Sequence, residues 1–101
     1  MRPARYSIVK LKSIPSDDFI LLSYPGLETN GSVVIAPLLP KDAIAIVETL
    51  HPTVETSSGR RVVTVERLAG VSPDLIEPTQ ESLIAFEYAI DRALSRLFYG
   101  N

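Results

Sequence analysis

The sequence lacks cysteine and tryptophan and contains one histidine, His51. The absence of cysteine excludes disulfides, thiol catalysis and thiolate metal sites, and it fits a reducing compartment. A zinc site would need an unusual set of carboxylates, so we expect no metal and no cofactor. There is no apolar run of about 18 residues and no signal-peptide pattern, which predicts a soluble, cytoplasmic protein without a membrane partner.

The composition is that of an ordinary globular domain. The chain has 101 residues, of which 46% are hydrophobic and 22% are charged, so we expect one domain over residues 1–101 with one core. The formal net charge of -2 argues against nucleic-acid binding by the chain alone, because phosphate contacts need a basic surface.

The C-terminal segment is the one stretch with a sustained helical period. Apolar residues recur there at three- and four-residue spacing and share one face of a helix. They are Leu83, Phe86, Ile90, Ala93, Leu94 and Leu97. Thr79 can cap the first amide groups, and Gly100 can end the helix in a left-handed conformation. These signals predict a long helix from about Thr79 to Phe98.

Upstream of this segment, short β-rich runs alternate with turn residues, which predicts five or more strands. The runs cover residues 6–11, 19–24, 32–36, 53–56, 61–65 and 68–71. The run 19–24 is nearly all apolar, so we expect a central strand that pairs with 32–36 through a mobile loop over 25–31. Val54 and Val63 should point inward from a second hairpin.

Three segments interrupt this pattern. Ser13–Asp18 and Pro37–Pro40 contain prolines or turn-forming side chains, and we expect both to break the strands. Lys41–Leu50 fits a short helix and a strand equally well. The order of elements predicts an α+β domain, in which a C-terminal helix covers an antiparallel sheet or small barrel.

The candidate catalytic and ligand-binding residues are few, and each has a structural interpretation that we favour. His51 could act as a general base near neutral pH, but a histidine at the start of a strand is more often partly buried. Asp17 and Asp18 could hold a hard cation, but two adjacent acids more often form a solvated turn. Arg60 and Arg61 could grip phosphate, although a hairpin tip is more often simply solvated.

The end of the chain offers a different kind of site. In the plain interpretation, Phe98 completes the apolar stripe and Tyr99 is half-exposed beside it. In the alternative, Tyr99, Gly100 and Asn101 protrude as a small docking tip, whose aromatic ring stacks on an arginine of a partner.

Four segments, in order along the chain, carry a family resemblance. Val34–Leu38 looks like a strand that ends in Ile-Pro-Leu, and Leu50–Val54 looks like Leu-Tyr-Pro-Val-Val. Val71–Pro73 is similar to a Val-Pro stretch that precedes a helix, and residues 89–101 are similar to a helix that ends in Phe-Trp-Gly-Ile. With the matching length, these segments resemble the CcdB family of toxins from bacterial toxin–antitoxin modules.

This resemblance implies a fold and a function. The fold would be an SH3-like, mostly antiparallel β-domain with a C-terminal helix, assembled as a homodimer. Members of the family poison DNA gyrase by docking their C-terminal residues into the gyrase A subunit and trapping the cleaved-DNA complex. A cognate antitoxin neutralises them, and the pair represses its own operon. The resemblance therefore implies inhibition by binding, by a protein that is not an enzyme.

The resemblance also implies two binding sites. The gyrase-binding residues would be Tyr99, Gly100 and Asn101, where tyrosine replaces the usual tryptophan and asparagine replaces the usual isoleucine. Loss of a good aromatic anchor costs about 2 kcal/mol or more at an interface, so gyrase affinity could be weakened. The antitoxin-binding region would be the loop containing Ser13, Ile14, Ser16, Asp17 and Asp18.

Two alternatives stand beside gyrase poisoning. The changes in the tail fit a weakened or non-toxic homologue that only binds the antitoxin and acts as a co-repressor. The second alternative is an endoribonuclease, because the MazF and Kid toxins share this fold class and cleave RNA. For that reaction the obvious candidates are His51, Arg60 and Arg61.

Overall fold

The structure is a computed structural model that describes residues 3–26 and 31–100. In these residues a curled, seven-stranded antiparallel sheet packs against one α-helix at the C-terminal end. The α+β, SH3-like fold expected from the sequence is therefore confirmed. The elements are β1 (Ser7–Leu11), β2 (Ile14–Leu21), β3 (Val33–Pro40), β4 (Thr53–Thr56), β5 (Gly59–Val63), β6 (Ala69–Val71), β7 (Ile76–Ser82) and α1 (Glu87–Tyr99).

The strand order is β4-β5-β3-β2-β1-β7, and β6 pairs with the other end of β3. One-turn 3-10 helices occur at Lys41–Ala43, Val65–Arg67, Pro73–Leu75 and Ile84–Phe86. Because β3 is long, β5 and β6 can pair with different parts of it, and this arrangement curls the sheet around the core.

The central position of β2 is confirmed, because apolar side chains cover both of its faces. Ile20 belongs to the core cluster that contacts α1, whereas Leu21 belongs to a second cluster on the opposite face. Ile20 pairs with Ala36 of β3, so the two predicted strands are neighbours. The predicted loop over 25–31 lies largely outside the described residues.

The predicted start of the C-terminal helix is wrong. Thr79 lies in β7, where its hydroxyl donates to the Ile8 carbonyl at 2.6 Å, and α1 begins only at Glu87. Residues 76–82 form an edge strand on β1, which satisfies backbone groups that a helix would otherwise have satisfied. Tertiary pairing thus overrides the local helical signal.

The apolar stripe and the helix end are confirmed. Leu83, Ile90 and Ala93 are buried, and the other members of the stripe pack against them as partly buried residues. Gly100 has a φ of 74° and donates its backbone N–H to the Arg96 carbonyl at 2.9 Å. A left-handed glycine therefore ends α1 as expected.

The predicted strand break over Ser13–Asp18 is confined to a turn before Ile14, and the predicted break at Pro37–Pro40 is wrong. Most of Ser13–Asp18 belongs to β2, which begins at Ile14, and β3 continues through Pro37. Proline lacks only the N–H donor, and the Pro37 carbonyl still accepts from the backbone N–H and the hydroxyl of Thr64, at 3.2 and 2.9 Å. A proline can therefore remain in a strand where its partner needs only the acceptor.

Lys41–Leu50 is neither a helix nor a strand. A single 3-10 turn at Lys41–Ala43 leads into irregular chain that closes in a turn, where Leu50 N–H donates to the Val47 carbonyl at 2.9 Å. The β4–β5 hairpin is confirmed, with Val54 and Val63 1% and 0% exposed. No helix in the described part of the chain is long and apolar enough to cross a membrane.

Candidate functional site

The end of α1 presents two exposed aromatic rings. Phe98 is 62% exposed and Tyr99 is 78% exposed, and Gly100 ends the helix in a left-handed conformation. The ring of Tyr99 is thus more exposed than the plain interpretation expected. Asn101, the last of the three residues predicted to bind gyrase, lies outside the described residues.

The residues predicted to bind the antitoxin lie at the tip of the β1–β2 hairpin. Ile14 is 42% exposed, which is unusual for a large apolar side chain in a strand. Ser16 Oγ donates weakly to Asp17 Oδ1 at 3.4 Å. Asp18 forms an ion pair with Lys10, whose Nζ lies 2.6 Å from Asp18 Oδ1.

The β1–β2 hairpin forms one wall of a cleft of about 220 Å³, and the ends of β3 and β5 form the other. We call this cleft the hairpin groove. Its polar lining residues are Lys10, Ser16, Asp17, Asp18, Ser58 and Arg61. It therefore brings two cations, two carboxylates and two hydroxyls to one surface. Because Lys10 is paired with Asp18, the residues left to act on a ligand are Arg61, which can bind an anionic group, and the carboxylate of Asp17, which can take a proton.

Arg60 and Arg61 do not act together. Adjacent strand residues point to opposite faces, and here Arg60 Nε donates to Glu55 Oε1 at 2.7 Å across the β4–β5 hairpin. Arg61 lines the hairpin groove and donates from Nη1 to the Arg60 carbonyl at 2.9 Å. The sequence alone gave no signal that Arg61 and Asp17 would share a cleft.

His51 is buried, which confirms the structural interpretation. Its Nδ1 accepts from the Val47 backbone N–H at 3.0 Å, and its Nε2 lies 2.9 and 2.8 Å from the two oxygens of Glu66. The hydrogen bonds assign the tautomer: Nδ1 is the acceptor, so Nε2 carries the proton. Both nitrogens are occupied, and His51 is not among the residues that line the hairpin groove.

Glu66 is held as a carboxylate by this contact. Burial by itself would raise its pKa, but hydrogen bonds from His51 and from its own backbone, with the positive charge of Arg67, lower the pKa below the ordinary 4.5. The pair links the turn before β4 to the 3-10 turn at Val65–Arg67. Its geometry indicates a structural role.

Asp17 and Asp18 were also considered as a cation site. No group of three or more histidine, cysteine, aspartate or glutamate side chains that could hold a metal occurs within residues 3–26 and 31–100. Lys10 already neutralises Asp18. The pair is therefore better described as part of the hairpin groove than as a metal centre.

Comparison with known proteins identifies the fold. No protein-family model matches the sequence, and no curated protein matches it. Among solved structures, the chain is similar to a chain in the crystal structure of MazE–MazF (form III) from Deinococcus radiodurans. The TM-score is 0.68, the sequence identity is 17%, and the alignment covers 96% of each chain. The fold is thus one that occurs in a toxin–antitoxin complex, and the match does not single out the CcdB family.

The match corrects one expectation. A protein that performs no reaction was expected, but the similar structure is a complex of MazF, one of the toxins described above as cleaving RNA. The expectation was wrong because a fold does not determine function: a domain of this shape need not act only by binding to and inhibiting a target. The same curled sheet can also carry a catalytic surface, so an enzymatic activity has to be considered for this chain.

Proposed function

We propose that the chain is the toxin component of a type II toxin–antitoxin pair. The observation that carries this proposal is the similarity to a MazE–MazF chain over 96% of both chains. The agreement extends from the β1–β2 hairpin to the C-terminal helix, so it is not limited to a common substructure. The resemblance of four sequence segments to another toxin family supports the same conclusion.

Growth after induced expression in a sensitive bacterium tests this proposal. We expect the intact chain to stop growth, and co-expression of the antitoxin encoded beside its gene to restore it. Normal growth of cells that contain the folded protein would reject the proposal that the chain is a toxin. Antitoxin binding and operon co-repression would then be the remaining function.

RNA cleavage in the hairpin groove is the first candidate for the toxic activity, and the MazF match favours it. Arg61 would bind the phosphate, and the exposed Asp17 would take the proton from the ribose 2′-hydroxyl. The 2′-oxygen would form a bond to phosphorus while the bond to the 5′-oxygen breaks. That oxygen would leave with a proton from water.

Purified protein and an unstructured, fluorophore-quencher RNA test this candidate. We expect Asp17→Asn to slow cleavage about 100-fold, the usual contribution of a general base. Arg61→Ala should slow it about tenfold or more, while the matched control Arg60→Ala should remain close to the unmodified chain. Absence of cleavage at high protein concentration would reject the candidate, as would equal rates for Asp17→Asn and the unmodified chain.

Docking to the gyrase A subunit is the second candidate, favoured by the exposure of Tyr99 at the end of α1. The contact would use Tyr99, Gly100 and Asn101. A gyrase assay that measures trapped, cleaved DNA separates three proteins: the intact chain, a chain that lacks these three residues, and the double variant Tyr99→Trp with Asn101→Ile. We expect most trapping by the double variant and none by the truncated chain. Equal trapping by all three would reject the tail as the contact.

The tip of the β1–β2 hairpin is our proposed antitoxin-binding region, with Ser13, Ile14, Ser16, Asp17 and Asp18. The exposed Ile14 supplies an apolar anchor. Because Asp17 also lines the hairpin groove, an antitoxin bound here would cover that groove. We expect Ile14→Glu to lower antitoxin affinity in a pull-down while leaving toxicity intact. If Ile14→Glu bound the antitoxin as tightly as the unmodified chain does, the antitoxin-binding region would have to lie elsewhere on the protein.

A further inference from the structure

A single side chain joins the two ends of the curled sheet. In the order β4-β5-β3-β2-β1-β7, the strands β4 and β7 lie at opposite ends. The backbone N–H of Ser57, directly after β4, donates to Glu81 Oε2 of β7 at 2.7 Å, and the Ser57 hydroxyl donates to Glu81 Oε1 at 2.6 Å. We call these two bonds the Glu81 bridge. Hydrogen bonds to an ionised carboxylate are stronger than bonds between neutral groups, so the bridge closes the sheet at the place where a backbone ladder would close a barrel.

The hairpin groove is the open mouth of this closed sheet. Arg61 pairs with Val54, and Asp18 pairs with Leu38. Residues that face each other in an antiparallel pair share one side of the sheet, and both Val54 and Leu38 belong to the core cluster that contacts α1. Arg61 and Asp18 therefore lie on the inner side, and both line the hairpin groove. The mouth of a barrel is a common place for a ligand site.

The tip of the β4–β5 hairpin carries part of the groove wall and extends beyond its neighbouring strand. The pairing of β5 with β3 ends at Arg61, and the tip lies past that point. Within the tip, the Thr56 hydroxyl donates to the Gly59 carbonyl at 2.8 Å and accepts from the Ser58 N–H at 3.1 Å. These bonds hold the tip together as a unit. A group that holds Ser57 therefore also fixes Ser58 and Arg61, the two residues of this hairpin that line the groove.

Glu81 is itself held in place by the body of the sheet. Its backbone N–H donates to Thr79 Oγ1 at 3.2 Å, and the Thr79 hydroxyl donates to the Ile8 carbonyl of β1 at 2.6 Å. The acceptor of the Glu81 bridge is thus tied to a strand next to the centre of the sheet. A fixed acceptor can position a projecting tip, because the tip and not the acceptor has to move when the bridge breaks.

We propose that Glu81 is a positioning residue of the hairpin groove. Through the Glu81 bridge it holds the β4–β5 tip against β7, and thereby fixes the wall that carries Arg61 at the mouth of the sheet. A displacement of about 1 Å of a group that binds substrate can cost up to about 100-fold in rate, so loss of the bridge matters for any reaction in the groove. The effect on RNA cleavage rests on the proposed function, whereas the bridge itself does not.

Distances between spin labels test the proposal without an activity assay. The chain lacks cysteine, so Ser16→Cys and Ser58→Cys place one label on each wall of the groove and nowhere else. We expect pulsed electron paramagnetic resonance to give one narrow distance, and Glu81→Ala to replace it with a broad distribution that reaches longer distances. Glu87→Ala, which removes the same charge from an exposed position on α1, should keep the narrow distance. Equal distributions for Glu81→Ala and Glu87→Ala would overturn the proposal.

A milder variant guards against a general loss of structure. Glu81→Gln keeps the size of the side chain, but its amide nitrogen cannot accept a hydrogen bond, so one of the two bonds from Ser57 is lost. We expect an intermediate distribution of distances and an unchanged circular dichroism spectrum. A distribution for Glu81→Gln identical to that of the unmodified chain would overturn the proposal.

The rate of RNA cleavage separates positioning from general destabilisation. We expect Glu81→Ala to slow cleavage about tenfold and Glu87→Ala to leave it unchanged. Because Glu81 acts through Arg61, adding Glu81→Ala to Arg61→Ala should cause no further loss, whereas independent effects would add. A further tenfold loss in that background would overturn the positioning role. If the unmodified chain cleaves no RNA, the proposed activity fails, and the spin-label distances still decide whether Glu81 fixes the groove wall.

Discussion

At the scale of single residues, Tyr6 connects the two ends of the chain. It is 1% exposed and its φ of 69° is rare for a residue other than glycine. Its hydroxyl donates to Asp91 of α1, and the guanidinium of Arg5 lies 4.3 Å from the centre of its ring. Burial and the hydrogen bond to Asp91 both raise the pKa of Tyr6, so the phenol remains a donor under all physiological conditions.

We expect Tyr6→Phe to lower the free energy of unfolding by about 1–2 kcal/mol, because Asp91 loses a donor in a partly buried place. Tyr24→Phe is the matched control, since its hydroxyl bonds to Arg5 at an exposed position at 3.1 Å. Urea unfolding of the two variants provides the measurement. Equal stability of both variants would show that the bond between Tyr6 and Asp91 contributes nothing.

The buried pair of His51 and Glu66 supports the turn that precedes β4. We expect His51→Ala to lower the free energy of unfolding by about 2–4 kcal/mol, because the Val47 N–H loses its acceptor and a cavity remains. Arg60→Ala breaks an exposed ion pair and should change stability by less than about 0.5 kcal/mol. A loss below that of Arg60→Ala would contradict the structural role of His51.

The lowered pKa of Glu66 has a consequence for acid stability. Its folded pKa lies below its unfolded value, so the stabilisation is complete above about pH 4.5 and is lost as the pH falls through the folded pKa. We expect the difference in unfolding free energy between the unmodified chain and Glu66→Gln to shrink as the pH is lowered from about 6 to about 3. A difference that stays constant over this range would contradict the assignment.

At the scale of elements, the edge strand β7 depends on one side chain in its middle. Thr79 donates to the Ile8 carbonyl at 2.6 Å and accepts from the Glu81 N–H at 3.2 Å. We expect Thr79→Val, which keeps the shape and loses the hydroxyl, to lower the free energy of unfolding by about 1–2 kcal/mol. Thr79→Ser should retain most of the stability in the same urea titration. Equal losses for the two variants would assign the effect to packing.

The elements also differ in how far local patterns predict them. The β4–β5 hairpin and the stripe of α1 follow from turn residues and from period, since Val54, Val63 and Ile90 are all buried as expected. The predictions at Pro37 and Thr79 are wrong because pairing with distant strands outweighs local propensity. The irregular segment Lys41–Leu50 has no regular partner, and its end is held by His51 instead.

At the scale of the whole molecule, an apolar groove beside the end of α1 suggests where two copies meet. Phe98 is 62% exposed and lines this groove of about 260 Å³ with Leu22, Val34, Leu68 and Leu94. Exposed apolar surface of this kind marks interaction sites. The homodimer implied by the family resemblance remains a prediction, and this exposed surface is the first place to test for its interface.

We therefore expect sedimentation at micromolar concentration to give a species of twice the 11.1 kDa chain mass. Phe98→Glu should convert it to the single-chain mass, because burying an unpaired carboxylate in an apolar interface is unfavourable. Tyr99→Glu is the control at the neighbouring exposed ring. A monomeric unmodified chain would contradict the dimer, and a dimer of Phe98→Glu would move the interface elsewhere.

The sequence by itself determined the class of the fold, the hairpin around Gly59, the apolar face of α1 and the helix end at Gly100. These features depend on residues close together in the chain, whose period and turn chemistry can be read locally. Only the tertiary structure decided where α1 begins, because the pairing of β7 with β1 competes with the helix.

The tertiary structure likewise decided which functional residues share a surface. Asp17 and Arg61 both line the hairpin groove because β2, β3 and β5 are neighbours in the sheet. His51 is not free to act as a base, because Glu66 and the Val47 N–H occupy its two ring nitrogens. Contacts between residues distant in the chain leave no local period, so no pattern in the sequence could have revealed them.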